Sequence, residues 1–261
     1  MRLRVASFNI RNGRAWDGPH SWPLRRDAAA EAVRRLRADV VGLQEVHGFQ
    51  QRDLLARLPA CAACGVGRDD GREHGERCAI LYDARRLVLE RCVTRWFSDT
   101  PDVPGSRSWG APPPRIATLA WFAERAAGGS VSAPARFAVA NAHWDGASAH
   151  ARERSAEALL RWLDPALPWI LVGDLNATAD DPAVRRLLAA GLRDPLGRLG
   201  TGGPGGGTHH HWDGRTAWTR IDYVLVSREW RVRAAAVIQD RVGGSMPSDH
   251  WPVLAALELP E

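Results

Sequence analysis

The chain has no lysine. All 35 of its Lys-plus-Arg residues are arginine, against 30 Asp and Glu, so the formal net charge of +5 rests on guanidinium groups alone. That bias reflects a GC-rich genome as readily as a functional demand. The arginines are scattered, in nothing longer than short clusters such as Arg25–Arg26 and Arg34–Arg35–Arg37, which excludes a dedicated basic tail and leaves a polyanionic partner permitted but not required. Long apolar runs are missing as well. None has the length of a bilayer crossing, and the opening M-R-L-R-V-A-S-F-N-I alternates like a strand instead of building the apolar block of a signal peptide. The expectation is a cytoplasmic protein without a membrane span. Cysteine is scarce at four residues. Cys61 and Cys64 have the C-x-x-C spacing of zinc sites and redox pairs, but no second close pair accompanies them. Cys78 and Cys92 fall in apolar, strand-like stretches, so free thiols are expected.

What is present is an ordinary globular composition with a heavy aromatic load: 45% hydrophobic residues, 25% charged residues and 12 Trp in 261 positions. That length suits one α/β domain spanning 1–261 with a single large core. Alternation and apolar runs place strands at Leu3–Asn9, Val40–Gln44, Cys78–Tyr82 and Leu87–Phe97, with helices between the first three, one of them from about Pro23 to Arg37. After a Pro/Gly/Ser-rich loop, Ser98–Pro114, come strands at Ile116–Phe122 and Arg136–Ala142. A helix at about Ser148–Leu163, a strand at Trp169–Val172 and a short helix near Pro182–Ala190 follow. Beyond a Gly-rich loop, Gly197–Gly207, strands at Ile221–Val226, Val232–Ile238 and Val253–Leu259 close the chain. Strands that occur both as neighbours and separated by helices imply mixed sheets with helices outside, a layered α/β sandwich.

Small polar residues gather at the ends of these strands, where α/β folds build their sites. Asn9 ends the first strand and Glu45 the second; His143 follows Ala142, Asp174 and Asn176 follow Val172, Asp222 opens a strand, and Asp249–His250 precede the last. A single such residue is usually a turn or a cap. The recurrence at six strand ends is what points to a site. Asn9, Glu45 and Asp249 offer hard oxygen ligands suited to Mg²⁺ or Mn²⁺, with too few His and Cys for a zinc cage. Asp174, Asn176, Asp222 and His250 offer a base, an orienting group and a hydrogen-bond donor for an oxyanion.

Six segments in order, S-F-N-I (7–10), L-Q-E-V (43–46), N-A-H-W-D (141–145), G-D-L-N-A (173–177), R-I-D-Y-V-L-V-S (220–227) and S-D-H-W-P-V (248–253), resemble the endonuclease/exonuclease/phosphatase superfamily, whose members include deoxyribonuclease I-like phosphoesterases. The resemblance spans nearly the whole chain. It implies a four-layer α/β sandwich, two mixed β-sheets packed face to face with helices on both outer sides and one site at the strand ends. It further implies that Glu45, helped by Asn9 and Asp249, holds the metal, that Asp174 orients or deprotonates the attacking water, and that Asn176 binds phosphate or metal. His250, kept in its protonation state by Asp222, and His143 would contact phosphate oxygens from either side.

G-E-R-C-A-I-L-Y-D (75–83) resembles the pancreatic-type deoxyribonuclease segment whose Glu pairs with the site histidine, which nominates Glu76 as the partner of His143. Arg115, in P-P-P-R-I-A-T, resembles a phosphate-facing Arg. Trp109, Trp144, Trp212, Trp218 and Trp251 lie in or beside the motif segments, and a pocket-rim role for at least one, with Trp144 foremost, is expected. Of His209, His210 and His211, at most one is expected to face the site. The overall likeness is to small bacterial members that carry G-R-D-D-G (67–71) and a T-P-x-V-P-G-S…W loop (100–109). The mid-chain Tyr of the abasic-site repair branch is missing. The leading expectation is therefore hydrolysis of a phosphodiester in DNA, RNA or a nucleotide, followed by the same chemistry on a phosphomonoester, phospholipid or small metabolite. A non-catalytic binding module is the third.

Overall fold

The first strand buries both of its faces, and its alternation decides what each face meets. Val5, Ser7 and Asn9 point one way; Ala6, Phe8 and Ile10 point the other, and all six are buried. The computed structural model describes residues 1–125, 135–198, 206–215 and 219–260. Its first half runs β1 (Arg2–Asn9), α1 (Trp22–Leu36), β2 (Val40–Val46), α2 (Gly48–Arg57), β3 (Cys61–Cys64), β4 (Arg77–Asp83), β5 (Leu87–Trp96) and β6 (Ile116–Glu124). The second runs β7 (Arg136–His143), α3 (Ala149–Trp162), β8 (Trp169–Asp174), α4 (Pro182–Ala189), α5 (Pro195–Arg198), β9 (Asp222–Val226), β10 (Arg231–Val237) and β11 (Val253–Glu258).

The strands form a six-stranded sheet, β10-β11-β1-β2-β4-β3, and a five-stranded sheet, β5-β6-β7-β8-β9. Both are mixed: β1 runs parallel to β2 and β7 parallel to β8, while their other pairings are antiparallel. Ala6, Phe8, Val41 and Leu43 pack with Trp22, Ala29 and Val33 of α1 and Leu54 of α2. Ala138, Ala140, Leu171 and Leu225 pack with Ala156 and Leu159 of α3 and Val184 and Leu187 of α4. Between the sheets lie Val5, Val40, Ile80, Val139, Ile170, Val172, Val224 and Val253. The four layers are those expected.

Local signals fix the helix ends. Asp181 caps α4 by accepting from the Ala183 N–H, Ser148 caps α3 by accepting from Ala151 N–H, and His47 and Gln50 form a reciprocal capping box on α2. Two elements escaped the sequence reading. β3 is a four-residue edge strand made of C-A-A-C, whose alternation is too short to register, and α5 is a single turn beside the Gly-rich loop. All four cysteines are free. Most of that loop, residues 199–205, and Trp218 lie outside the described residues. No described helix is long and apolar enough to cross a membrane.

One buried polar bridge joins the sheets just below their open end. Gln44 Nε2 donates to Asn141 Oδ1 at 2.7 Å, and Asn141 Nδ2 donates to the carbonyls of Leu43 and Ala79. Gly42 permits this approach, since a Cβ there would meet Val172 Cγ2 at 2.2 Å. Gln44 and Asn141, both in motif segments, are thus structural.

Candidate active site

The inter-sheet rows of side chains turn from apolar to polar at one end of the sandwich. Val5-Ser7-Asn9, Val139-Asn141-His143 and Ile170-Val172-Asp174 are three such rows, and Asp222 starts the row Asp222-Val224-Val226 at the same end. His143 pairs in register with Asp174, and Asp174 with Asp222, so three neighbouring strands bring these groups side by side. They lie at or beneath a cleft of about 370 Å³ whose walls include Arg11, Asn12, Glu45, Arg68, Glu76, Arg115, His143, Asp174, Asn176, His209, Asp249 and His250.

Glu45 reaches the cleft only because its strand is irregular. Strict alternation would send it with Leu43 toward the helices, but the β2–β4 register shifts between Leu43 and Val46 and Glu45 takes φ +61°. A bulge of this kind re-aims a side chain, and left-handed backbone at a non-glycine residue is a strain that clusters at functional sites. Asn176 is also left-handed, at φ +47°, and its N–H donates to Asp174 Oδ1 at 2.9 Å.

Two carboxylates facing each other across β8 and β9 need a compensating charge, and His250 supplies it. Its Nδ1 lies 2.8 Å from Asp222 Oδ2, both residues are buried, and its Nε2 is 3.9 Å from Asp174 Oδ2. Burial opposes the imidazolium, but the charge of Asp222 and its hydrogen bond, with Asp174 and Asp249, outweigh it and push the pKa up to about 10. His250 is therefore protonated at neutral pH. Burial and the nearby Asp222 raise the carboxyl of Asp174 to about 7 despite His250 and Asn9. Burial also disfavours ionised Asp249, yet His209, His250 and Arg11 hold it well below the usual carboxylate range. His143 is the opposite case: burial, Arg115, Arg68 and His250 lower its pKa well below the ordinary value. Its 3.7 Å approach to Asp174 Oδ2 is accordingly that of a neutral ring and not an ion pair.

Several expectations change. Asn9 presents Nδ2 to both Glu45 Oε1 and Asp174 Oδ2, each at 3.0 Å, while its Oδ1 accepts from the Arg11 N–H. It therefore positions two carboxylates of the site. Glu76 does not pair with His143; it accepts from Asn12 Nδ2 at 2.7 Å and is ion-paired to Arg68. Trp144 is fully buried in the layer beneath α3 and α4, because it follows His143 and alternation turns it away from the cleft. Trp251 is likewise buried, against His210. Arg115 lines the cleft as expected and lies 3.5 Å from Asp145 Oδ2. Of the three consecutive histidines, His209 lines the cleft, His210 is buried and His211 is exposed.

Arg11, Asn12 and Arg68 were not foreseen. Asn12 is a hub: its N–H donates to Glu45 Oε2 at 2.8 Å, its Nδ2 to Glu76, and its Oδ1 accepts from the Arg14 N–H and lies 3.1 Å from His47 Nε2. The N-G dipeptide after the first strand was the available signal, as a turn there had to be built. Arg68 sits within the G-R-D-D-G segment that the resemblance had already marked.

The chain belongs to the Endonuclease/Exonuclease/phosphatase family, whose profile matches residues 6–250. A solved family protein from Bacteroides thetaiotaomicron is 30% identical, with a TM-score of 0.89 over 100% of this chain and 99% of that one. A mannosyl-6-phosphatase of the same organism is also 30% identical, with a TM-score of 0.87 over 98% of this chain and 99% of its own. An uncharacterized protein of Acanthamoeba polyphaga mimivirus is 26% identical over 116 residues, 42% of this chain and 43% of its own length. The chain thus spans less than half of that curated relative.

Proposed function

We propose that this protein hydrolyses a compact phosphate monoester by direct attack of water, with Mg²⁺ or Mn²⁺ as its cofactor. The observation that carries the reading is the convergence of Glu45, Asp174, Asp249 and the Asp222–His250 pair on one small cleft that also holds three arginines. A cleft of about 370 Å³ falls in the range that encloses a small molecule. With the whole-length likeness to a mannosyl-6-phosphatase, that size favours a monoester over the nucleic-acid diester first expected from sequence.

The donor set suits a hard cation. Loss of solvent, and then the charge of Asp222, raise the carboxyl of Asp174, and loss of solvent with the charge of Glu45 raises that of half-buried Glu76, so carboxylates gather here in need of a positive partner. Glu45 and Asp249 would hold the ion, with lone pairs left beyond the hydrogen bonds that orient them. Bound there, Mg²⁺ or Mn²⁺ would supply electrostatic stabilisation of the charge that develops on the phosphoryl group.

The remaining chemistry belongs to the chain. Protonated His250 donates from Nε2 to a non-bridging phosphate oxygen, its ring fixed through Nδ1 by Asp222. Asp174, steadied by Asn9 and Asn176 and with a pKa of about 7, takes the proton of the attacking water as its oxygen bonds to phosphorus; the ester P–O bond breaks, and the departing alkoxide leaves as the alcohol with a proton drawn from solvent. Arg11, Arg68 and Arg115 offset the charge of the phosphate dianion. Among the described residues no serine, threonine or cysteine lines the cleft, and no covalent intermediate is invoked. A panel of hexose phosphates, nucleoside monophosphates, a diester, single- and double-stranded nucleic acid and a choline phospholipid tests the substrate class. Highest kcat/KM on a monoester is expected; higher kcat/KM on any diester overturns that choice.

A further inference from the structure

Trp16 is 90% exposed, on a loop that is otherwise tied down throughout. The buried Arg25 side chain donates to the carbonyls of Ile10, Arg11 and His20 and so pins both ends of the loop. Gln50 accepts from the Gly13 N–H and donates to the Arg11 carbonyl, and Arg11 makes a two-point contact with Asp17. A segment held this firmly presents its side chains in fixed positions. Ala15 lines the cleft and Arg11 does too, so Trp16 follows directly on a cleft residue, and the next residue, Asp17, is bonded to Arg11.

A short aromatic wall starts at the cleft residues His209 and His250. His209 stacks on His250 with ring centroids 4.3 Å apart, His211 lies 3.8 Å from His209, and Trp212 stacks on His20 at 4.5 Å with the planes within 4°. The stack of Trp212 on His20 joins this wall to the loop that carries Trp16. Arg11, His211 and Trp212 all adopt left-handed φ, between +48° and +68°. Strain of this kind persists where the surrounding structure serves a site. A scattered surface hydrophobe needs no explanation, but this nearly bare indole sits on a loop held by several hydrogen bonds and directly follows a cleft residue.

We propose that Trp16 is the platform on which the ring of the substrate's leaving group stacks, which makes the substrate a phosphate ester of a cyclic, flat-faced alcohol. This rests on the phosphoesterase reading of the same cleft. With the phosphate among Arg11, Arg68, Arg115 and His250, a sugar or nucleoside attached to it would extend toward the mouth. There the indole covers one apolar face and the hydroxyls stay in solvent.

The test compares wild type with Trp16→Ala and Trp16→Phe on hexose 6-phosphate, nucleoside 5′-monophosphate and glycerol phosphate. Trp16→Ala is expected to lower kcat/KM for a cyclic ester relative to the acyclic one by about tenfold, chiefly through KM, the scale of one ring stacked on an aromatic side chain, and Trp16→Phe to recover most of it. A larger loss on the hexose ester assigns a sugar, and a larger loss on the nucleoside ester a base. An unchanged ratio of cyclic to acyclic kcat/KM overturns the proposal while leaving the hydrolase reading intact. The second arm is independent of turnover. The same esters are titrated with and without chelator, and the fluorescence change of Trp16→Phe is subtracted from that of wild type. A Trp16-specific, saturable change in chelator, with no hydrolysis of any of the esters once Mg²⁺ or Mn²⁺ is returned, supports the platform and removes the hydrolase reading. No such change with any ester removes the platform.

Discussion

At the residue scale the account turns on the Asp222–His250 pair, because the carboxylate fixes the ring and keeps it charged. Asp222→Asn removes that charge and His250→Ala removes the donor. Each substitution is expected to lower kcat by about a hundredfold or more, the scale for losing one donor to a developing oxyanion. Since the two act as a unit, the double mutant should lose little more than the worse single one. Steady-state kinetics on the four proteins decides this, and losses that simply multiply would reject the pair. The neighbouring Trp144 shows how a motif can mislead. N-A-H-W-D reads as a run of site residues, but a strand sends adjacent side chains to opposite faces, so His143 and Trp144 cannot both serve the cleft. Asn9 shows a different limit: an amide offers both a donor and an acceptor, and only the hydrogen-bond network gives its Nδ2 to the carboxylates of Glu45 and Asp174.

At the scale of elements, the strand rows and the six motif segments were legible because alternation and strand-end polarity are local features. The bulge that aims Glu45 was not, since left-handed backbone at a glutamate leaves no pattern in the sequence, and neither was β3, a short edge strand. Arg11 and Asn12 lie in a loop whose geometry is set by Arg25 and Gln50, contacts that no periodicity predicts. Gly173 makes the dependence on strand packing testable. A Cβ there would lie 2.3 Å from the carbonyl oxygen of Ala142, a backbone atom that cannot swing aside. Gly173→Ala is expected to destabilise the fold by about 1–3 kcal/mol, the usual scale of overpacking, and to lower activity more than an equally destabilising change under α4 such as Val184→Ala. Equal activity losses would show that the β7–β8 spacing does not set the position of Asp174. Asn141→Ala probes the inter-sheet bridge and is expected to cost about 2–3 kcal/mol in urea unfolding, because it removes three buried hydrogen bonds, those with Gln44 Nε2 and the carbonyls of Leu43 and Ala79. A loss below about 0.5 kcal/mol would place that bridge among surface-like contacts.

For the whole molecule, two sheets face each other so that one end of their shared core can be polar, and the negative charge gathered there calls for a cation. A metal that binds only the folded state adds stability, about 2.7 kcal/mol at a free concentration one hundred times Kd. Mg²⁺ or Mn²⁺ is therefore expected to raise the Tm of the wild-type protein and to raise that of Glu45→Gln much less, while the two proteins melt alike in chelator. Equal metal shifts would move the ion away from Glu45. The most direct test of the central claim is phosphate release from a monoester by protein stripped with chelator, measured before and after Mg²⁺ or Mn²⁺ is returned. The account predicts no release above background from the stripped protein and recovery of activity with either ion; equal release with and without chelator would contradict it.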